Sequence, residues 1–211
     1  MYHLYFSRFF SLLMGINFFA LHLSAQVNLM AEHLVNPVGI DAAHPRLSWQ
    51  NIQAKQAGYQ LLIGVDANKL TGLKKRMGAT QLTSYDGIPL QPFTKYYWKV
   101  KTWDVNGKES VSELASFETG MMGMQNWKGS WITDTKDISL QPAGYFKKDF
   151  GIDKKVVAAR VYIAAAGLYE LSINGNRIGD HGLDPMYTRF DRRTLYVAYD
   201  VTKKYSRVVM L

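Results

Sequence analysis

Apolar and polar side chains alternate along much of this 211-residue chain. The clearest stretch is residues 96–103, where Tyr96 and Trp98 fall on one face of an extended backbone and two lysines fall on the other. Residues 46–50 and 58–65 repeat the same two-residue period. Because successive side chains of a β-strand point to opposite faces, this pattern predicts strands.

Turn signals separate the predicted strands at short intervals. The pairs Asn106-Gly107 and Asn174-Gly175 are typical of tight hairpins, since both turn positions tolerate a positive φ. No amphipathic helix stands out, and residues 66–80 fit either a short helix or an irregular crossover. Short strands broken by turns at this spacing predict an all-β fold built from sandwiches.

The strand pattern divides into two consecutive β-sandwich domains. We predict the first over residues 26–120 and the second over residues 127–211, with residues 121–126 as the linker. Each segment is close to the roughly 100 residues that such a module needs. The second pattern stops within an apolar run at residues 208–211, without a terminating turn. Since chain ends normally lie in polar surface segments, we predict that the second sandwich is incomplete.

Residues 1–25 are typical of a secretory signal peptide. Arg8 precedes an apolar run that closes with the small residues Ser24 and Ala25. The alternative is a membrane anchor, but Asn17 and His22 leave the run short of the roughly 20 apolar residues of a membrane span. We therefore expect cleavage after Ala25, a periplasmic or extracellular location, and no membrane contact after cleavage.

Composition and charge narrow the range of partners. The chain has no cysteine, so a disulfide framework is excluded and stability must come from core burial. The net charge is +8, but residues 26–124 contain ten basic and eight acidic side chains, interspersed with one another. The local cluster Lys74-Lys75-Arg76 is typical of a solvated loop. We predict no nucleic-acid partner.

Two ordered series of short motifs carry a family resemblance. Those of the first region are residues 34–41, 45–49, 96–104 and 115–120. Those of the second region are residues 127–132, 159–163, 167–180 and 196–202. In this order, they are similar to the fibronectin-III-like and jelly-roll modules that open bacterial α-L-rhamnosidases.

The resemblance implies an accessory role. The family removes terminal α-L-rhamnose from glycans by inverting hydrolysis, and a helical barrel that follows these modules supplies the catalytic acids. The resemblance thus implies a chain truncated before that barrel, a rhamnose-containing glycan as partner, and modules that pack against the barrel. An alternative from another class is a non-catalytic carbohydrate-binding or adhesion module.

We assign no catalytic residue and no required cofactor to this chain. Inverting hydrolysis needs two carboxyl groups roughly 6.5–9.5 Å apart across the scissile bond. Glu170 lies on a predicted strand, Asp180 and Asp184 flank a turn, and Asp191 is surrounded by arginines. Turn capping and surface ion pairs explain these carboxylates without catalysis.

Residues 179–191 are the candidate binding loop. Sugar sites combine an aromatic platform with polar groups that bind hydroxyls, which points to Asp180, His181, Tyr187, Arg189 and Asp191. Some jelly-roll modules of the resembling family bind rhamnose with calcium, and oxygen-rich loops suit that ion. The metal-ligand candidates are therefore Asp180 and Asp184. The alternative is that this loop packs against the missing barrel.

Four tryptophans have structural roles in this interpretation. Alternating aromatic side chains on strands belong more often to a sandwich core than to a ligand groove. We predict that Trp49 and Trp98 lie in the core of the first sandwich. We predict that Trp127 and Trp131 hold the two modules together.

Overall fold

The structure, a computed structural model, describes residues 26–52, 55–135, 139 and 143–205. The predicted signal peptide at residues 1–25 and the apolar run at residues 208–211 lie outside the described residues. Across the described segments, no helix is long and apolar enough to cross a membrane.

Ten strands form the first region. They are β1 (Gln26–Ala31), β2 (Val38–Ile40), β3 (Arg46–Asn51), β4 (Gln56–Gly64), β5 (Thr71–Gly72), β6 (Arg76–Met77), β7 (Leu82–Ser84), β8 (Lys95–Asp104), β9 (Glu109–Val111) and β10 (Ala115–Thr119). Residues 66–80, which fit either a helix or a crossover by sequence, contain the short strands β5 and β6.

These strands make two sheets. The smaller sheet has the order β1-β3-β7, and the larger has the order β2-β10-β8-β4-β5, with β6 also on β4 and β9 also on β8. Strands β2 and β10 pair in parallel, whereas the other neighbours are antiparallel. The predicted Asn106-Gly107 turn joins β8 to β9, with Gly107 at φ +80°. Asp104 supports this turn by accepting hydrogen bonds from the backbone N–H groups of Asn106 and Lys108.

The core lies between the two sheets. Trp49 on β3 and Tyr59 on β4 contact each other across the sandwich, with ring centroids 5.0 Å apart. Trp98 and Phe117, on neighbouring strands of the larger sheet, are fully buried. Burial of a large apolar side chain stabilises the fold by about 1.5–3 kcal/mol. The predicted core positions of Trp49 and Trp98 are thus confirmed.

The second region is smaller. Its strands are β11 (Arg160–Ala164), β12 (Leu171–Ile173), β13 (Asn176–Ile178) and β14 (Tyr196–Asp200), and a short helix α1 (Thr202–Tyr205) follows. Strand β11 pairs with β14, and β12 pairs with β13 through the predicted Asn174-Gly175 turn. These four described strands are fewer than the roughly eight of a complete jelly roll.

The all-β prediction is confirmed. The first region is a two-sheet sandwich, and the described part of the second region is also built of strands. Residues 143–150 form none of the described strands and are exposed throughout. The predicted domain boundaries stay predictions, and between the regions lies a 3-10 helix at Met124–Asn126.

Candidate functional site

The two regions meet around a buried ion pair. Arg160, at the start of β11, donates hydrogen bonds from Nε and Nη2 to the Glu118 carboxylate on β10, at 2.8 and 2.7 Å. The two side chains are only 14% and 8% exposed. Asp200 on β14 also pairs with Arg160 at 2.9 Å. Burial alone would lower the pKa of Arg160, but the hydrogen bonds to Glu118 raise it above its usual value.

A second polar contact links β14 to the first region. Tyr196 donates its hydroxyl to Asp41 at 2.7 Å and accepts the backbone N–H of Met121 at 3.1 Å. Burial, followed by the hydrogen bond to Asp41, raises the pKa of Tyr196 well above its usual value. Beside this contact, a Cβ on Gly39 would lie 2.9 Å from the Cβ of Ala198, so β2 and β14 approach each other closely.

Aromatic rings fill the rest of this junction. Phe93 and Tyr162 meet edge to face at 5.0 Å, and Tyr162 lies 6.1 Å from Tyr196. Trp127 packs against Tyr196 at 6.0 Å between ring centroids, a contact within the second region, so its predicted role in holding the two modules together stays a prediction. Trp131 is 68% exposed, so the same prediction is wrong for this residue. Residues 128–133 belong to no strand and are exposed, which leaves this ring outside the packed junction.

The candidate binding loop is anchored at Asp184. The backbone N–H of Tyr169 donates to the Asp184 carbonyl at 2.6 Å, and Tyr199 donates its hydroxyl to the Asp184 carboxylate. The Tyr169 hydroxyl lies 3.0 Å from that of Tyr199. Burial raises the pKa of both tyrosines above the usual value, so each keeps its proton further into the alkaline range. Asp184 therefore fixes the loop to β14.

The predicted metal ligands lie on either side of His181. Its Nδ1 is 3.3 Å from an oxygen of Asp184, and its Nε2 is 3.6 Å from an oxygen of Asp180. Within the described segments, no three His, Cys, Asp or Glu side chains are grouped so that they could hold a metal ion. Calcium takes about six to eight oxygen ligands. The described side chains do not provide such a set, and calcium binding stays a prediction.

Of the three remaining predicted sugar-binding residues, Arg189 and Asp191 pair with each other, and Tyr187 packs against Phe190. Arg189 binds Asp191 through Nε and Nη2, at 2.9 and 2.5 Å, and this lowers the pKa of the carboxyl. Tyr187 is 75% exposed, and its ring meets Phe190 edge to face at 5.4 Å. The loop thus presents an exposed aromatic ring together with a charged pair.

An open cavity of about 410 Å³ lies beside this loop. Arg177, Asp180, Tyr199 and Lys204 are among the residues that line it. Of the five predicted sugar-binding residues, Asp180 alone lines this cavity. Sequence reasoning missed Arg177 and Tyr199, because both lie on strands whose alternation indicates only sheet formation.

The acidic residues considered for catalysis have structural partners. Glu170 forms an ion pair with Arg177 at 3.4 Å, and Asp191 pairs with Arg189. Asp184 accepts the Tyr199 hydroxyl. Each of these carboxylates is therefore engaged in a contact that stabilises a loop or a strand.

Comparison with known families gives two matches in order. Residues 26–123 match the family described as Rha78A-like, N-terminal immunoglobulin domain. Residues 154–208 match the family described as Alpha-L-rhamnosidase N-terminal domain. The first match covers the two-sheet sandwich, and the second covers all four strands of the second region.

Individual relatives agree with these matches. An alpha-L-rhamnosidase from Formosa agariphila is 32% identical, and the match covers 80% of this chain and 21% of the relative. The solved alpha-L-rhamnosidase from Dictyoglumus thermophilum is 36% identical, with a TM-score of 0.75 over 85% of this chain and 23% of that one. The enzyme from Aspergillus terreus is 25% identical, with a TM-score of 0.70 over 84% and 22%.

This chain spans about a fifth of the length of the curated relatives it matches. The matched portion contains the immunoglobulin domain and the rhamnosidase N-terminal domain, in that sequence along the chain. The chain therefore corresponds to the N-terminal region of the α-L-rhamnosidase family.

Proposed function

We propose that this chain is the accessory N-terminal region of an exported α-L-rhamnosidase, which removes terminal α-L-rhamnose from glycans by inverting hydrolysis. The observation that carries the proposal is the ordered pair of domain matches, together with 36% identity to a solved α-L-rhamnosidase over 85% of the chain. In this role, the chain positions or stabilises the catalytic part and performs no bond cleavage itself.

Exposed apolar side chains in the second region support packing against a catalytic domain. Large contiguous apolar patches on a soluble protein mark surfaces that another domain or a partner covers. The most exposed side chains are Trp131, Ile132, Tyr145, Val157, Met186 and Tyr187, all between 68% and 98% exposed. The proposed cover is the helical barrel of the complete enzyme.

The test compares this chain with the product of the complete reading frame to which it belongs. Each is assayed with an aryl α-L-rhamnoside, and an aryl β-D-glucoside serves as the control substrate. We expect turnover of the rhamnoside by the complete product alone, with release of the β-anomer as seen by NMR. Turnover by the 211-residue chain would contradict the accessory role. Absence of turnover by the complete product would contradict the rhamnosidase assignment.

Export is the second part of the proposal. The basic start, the apolar run and the small residues before Gln26 support cleavage after Ala25. Expression of the reading frame in a Gram-negative host, followed by N-terminal sequencing of the periplasmic protein, should give Gln26 as the first residue. Retention of Met1 in the cytoplasmic fraction would contradict export.

A second candidate function is carbohydrate binding by the loop at residues 179–191. The favouring observation is the exposed ring of Tyr187, which Phe190 supports from the side. Titration calorimetry with L-rhamnose, with and without calcium, tests this function, and Tyr187→Ala should abolish any heat. Tyr145→Ala is the control, because that ring is 98% exposed and lies outside the loop. If no heat of binding is measured with or without calcium, carbohydrate binding by this loop is ruled out.

A further inference from the structure

The outer face of the larger sheet carries a row of alternating aromatic and basic side chains. Along β8, Tyr97, Lys99, Lys101 and Trp103 are half-buried, whereas the residues between them are buried in the core. Six residues of extended chain separate the two rings, a distance of about 20 Å. The row is thus long enough for an extended ligand of several units.

Glycines stand opposite both rings. In the antiparallel pairing of β4 with β8, Tyr97 faces Gly64 and Trp103 faces Gly58. Directly opposed residues in such a pair have neighbouring side chains, so neither ring has a β4 side chain beside it. Met77 fills the space over Gly58, and the backbone of Lys69 fills the space over Gly64. Between the rings, Leu62 faces Lys99.

Lysine ammonium groups gather around the aromatic rings. Lys75 places its Nζ 3.7 Å from the centroid of Trp103, and the Nζ of Lys101 lies 6.0 Å from the same ring. At the other end of the row, the Nζ of Lys95 lies 5.3 Å from the centroid of Tyr97. The basic cluster recognised by sequence at residues 74–76 therefore contributes a cation to this face.

Folding places the Glu109 carboxylate beside this row, opposite Trp103, and the Asp200 carboxylate near Lys95, but it leaves more lysines than carboxylates there. Ten basic and eight acidic residues in positions 26–124 suggest near-neutrality. In the described structure, however, Lys101 is the one lysine of the row with a carboxylate within 4.0 Å, that of Glu109. Glu118, which also faces outward from the larger sheet, is buried against Arg160. The face therefore has a local excess of positive charge.

From this arrangement, we infer that the outer face of the larger sheet binds an acidic polysaccharide, with Tyr97 against a sugar ring and with Lys99 and its neighbours, including the Lys75 that packs on Trp103, against the carboxylates. Pyranose rings have an apolar face that packs on aromatic side chains, and lysines attract anions over a range set by ionic strength. This inference rests on the proposed function, because it names the class of glycan that the accessory region would hold.

The test measures binding of polygalacturonate, a linear polyuronate, to the whole chain by calorimetry. Dextran is the neutral control polymer, and single-stranded DNA is the anionic control polymer. We expect binding to polygalacturonate that weakens as ionic strength rises, no binding to dextran, and weaker binding to DNA. Binding of polygalacturonate does not require hydrolysis. The binding experiment and the rhamnosidase assay of the complete product can therefore succeed or fail independently of each other.

Variants locate the site. Lys99→Gln should raise the Kd about fivefold, as expected for loss of one exposed ion-pair contact. Trp103→Ala should raise it about fivefold through loss of the ring that positions the Lys75 ammonium. Lys154→Gln, an exposed lysine of the second region, removes the same charge away from the row and should leave the Kd unchanged. Circular dichroism melts check that each variant is folded.

Several outcomes would overturn the inference. These are no binding of polygalacturonate by the unmodified chain, equal binding of dextran, or equal binding of DNA. An equal loss of affinity in Lys99→Gln and Lys154→Gln would also overturn it, because attraction would then depend on net charge and not on this face.

Discussion

Arg160 and Glu118 join the two regions through two parallel hydrogen bonds at 2.8 and 2.7 Å, in a position where both side chains are nearly excluded from water. Removal of one partner from such a pair leaves a buried charge without compensation. We therefore expect Glu118→Gln to lower the free energy of unfolding by about 3 kcal/mol in urea titrations.

A double-mutant cycle tests the same pair directly. Arg160→Gln in the Glu118→Gln background should cost much less than in the unmodified chain, because the two residues act together. Lys147→Gln is the control, since Lys147 and its partner Asp149 are 83% and 85% exposed and should contribute nothing measurable. Additive effects of Glu118→Gln and Arg160→Gln would contradict the coupling.

Alkaline pH should destabilise the junction through Tyr196. Its pKa is raised in the folded state, mainly by burial, so the folded chain retains a proton that the unfolded chain loses. Stability is therefore complete below the usual tyrosine pKa of about 10 and decreases as pH rises above it. Urea midpoints measured across the alkaline range should show a smaller decrease for Tyr196→Phe. Tyr145→Phe, a fully exposed position, should match the unmodified chain, and identical slopes in all three proteins would refute this role.

Gly39 should tolerate no larger residue. It has φ +88°, and an added Cβ would lie 2.9 Å from that of Ala198. An alanine in the left-handed region costs about 1–2 kcal/mol, and the close approach adds to this cost. Gly107→Ala is the matched control, with φ +80° and nothing within 4 Å of the new Cβ. Thermal melts should show a larger loss for Gly39→Ala, and equal losses would show that the contact with Ala198 is unimportant.

Trp98 should be among the most sensitive core positions. Its side chain is fully buried between the two sheets, and truncation of a buried aromatic residue costs about 3–5 kcal/mol. Trp98→Ala should therefore lower the urea midpoint strongly, and Trp98→Phe should lower it less. Trp131→Ala should have no effect, because that ring is 68% exposed. A tolerated Trp98→Ala would contradict the assigned core.

The sequence predicts the first region well because its local and tertiary signals agree. The alternation along residues 96–103 matches the buried and half-buried faces of β8, and Asn106-Gly107 turns the chain where expected. Residues 143–150 lack this alternation, because Tyr145-Phe146 and Lys147-Lys148 place similar side chains at successive positions, and the segment forms none of the described strands.

The junction could not be predicted, for a physical reason. Glu118 alternates outward from β10 and Arg160 begins a strand 42 positions later, so each has the pattern of an ordinary surface charge. Their burial results only from the docking of one region on the other. In the candidate binding loop, the sequence pointed to Asp184 and Tyr187 as candidate residues. It did not point to Tyr199, because this residue lies on a strand and its hydrogen bond to Asp184 forms only when the chain folds.

The buried hydrophobic residues are distributed unevenly, and this has a consequence for protein engineering. Within the described structure, Ile178 and Val201 are the members of this set that come from the second region, and all the others come from the first. The first region is therefore suited to transplantation as a self-contained fusion partner. The second region is not expected to fold independently. Any chimera that includes it must also keep Glu118 and Asp41 of the first region, because these residues bind Arg160 and Tyr196.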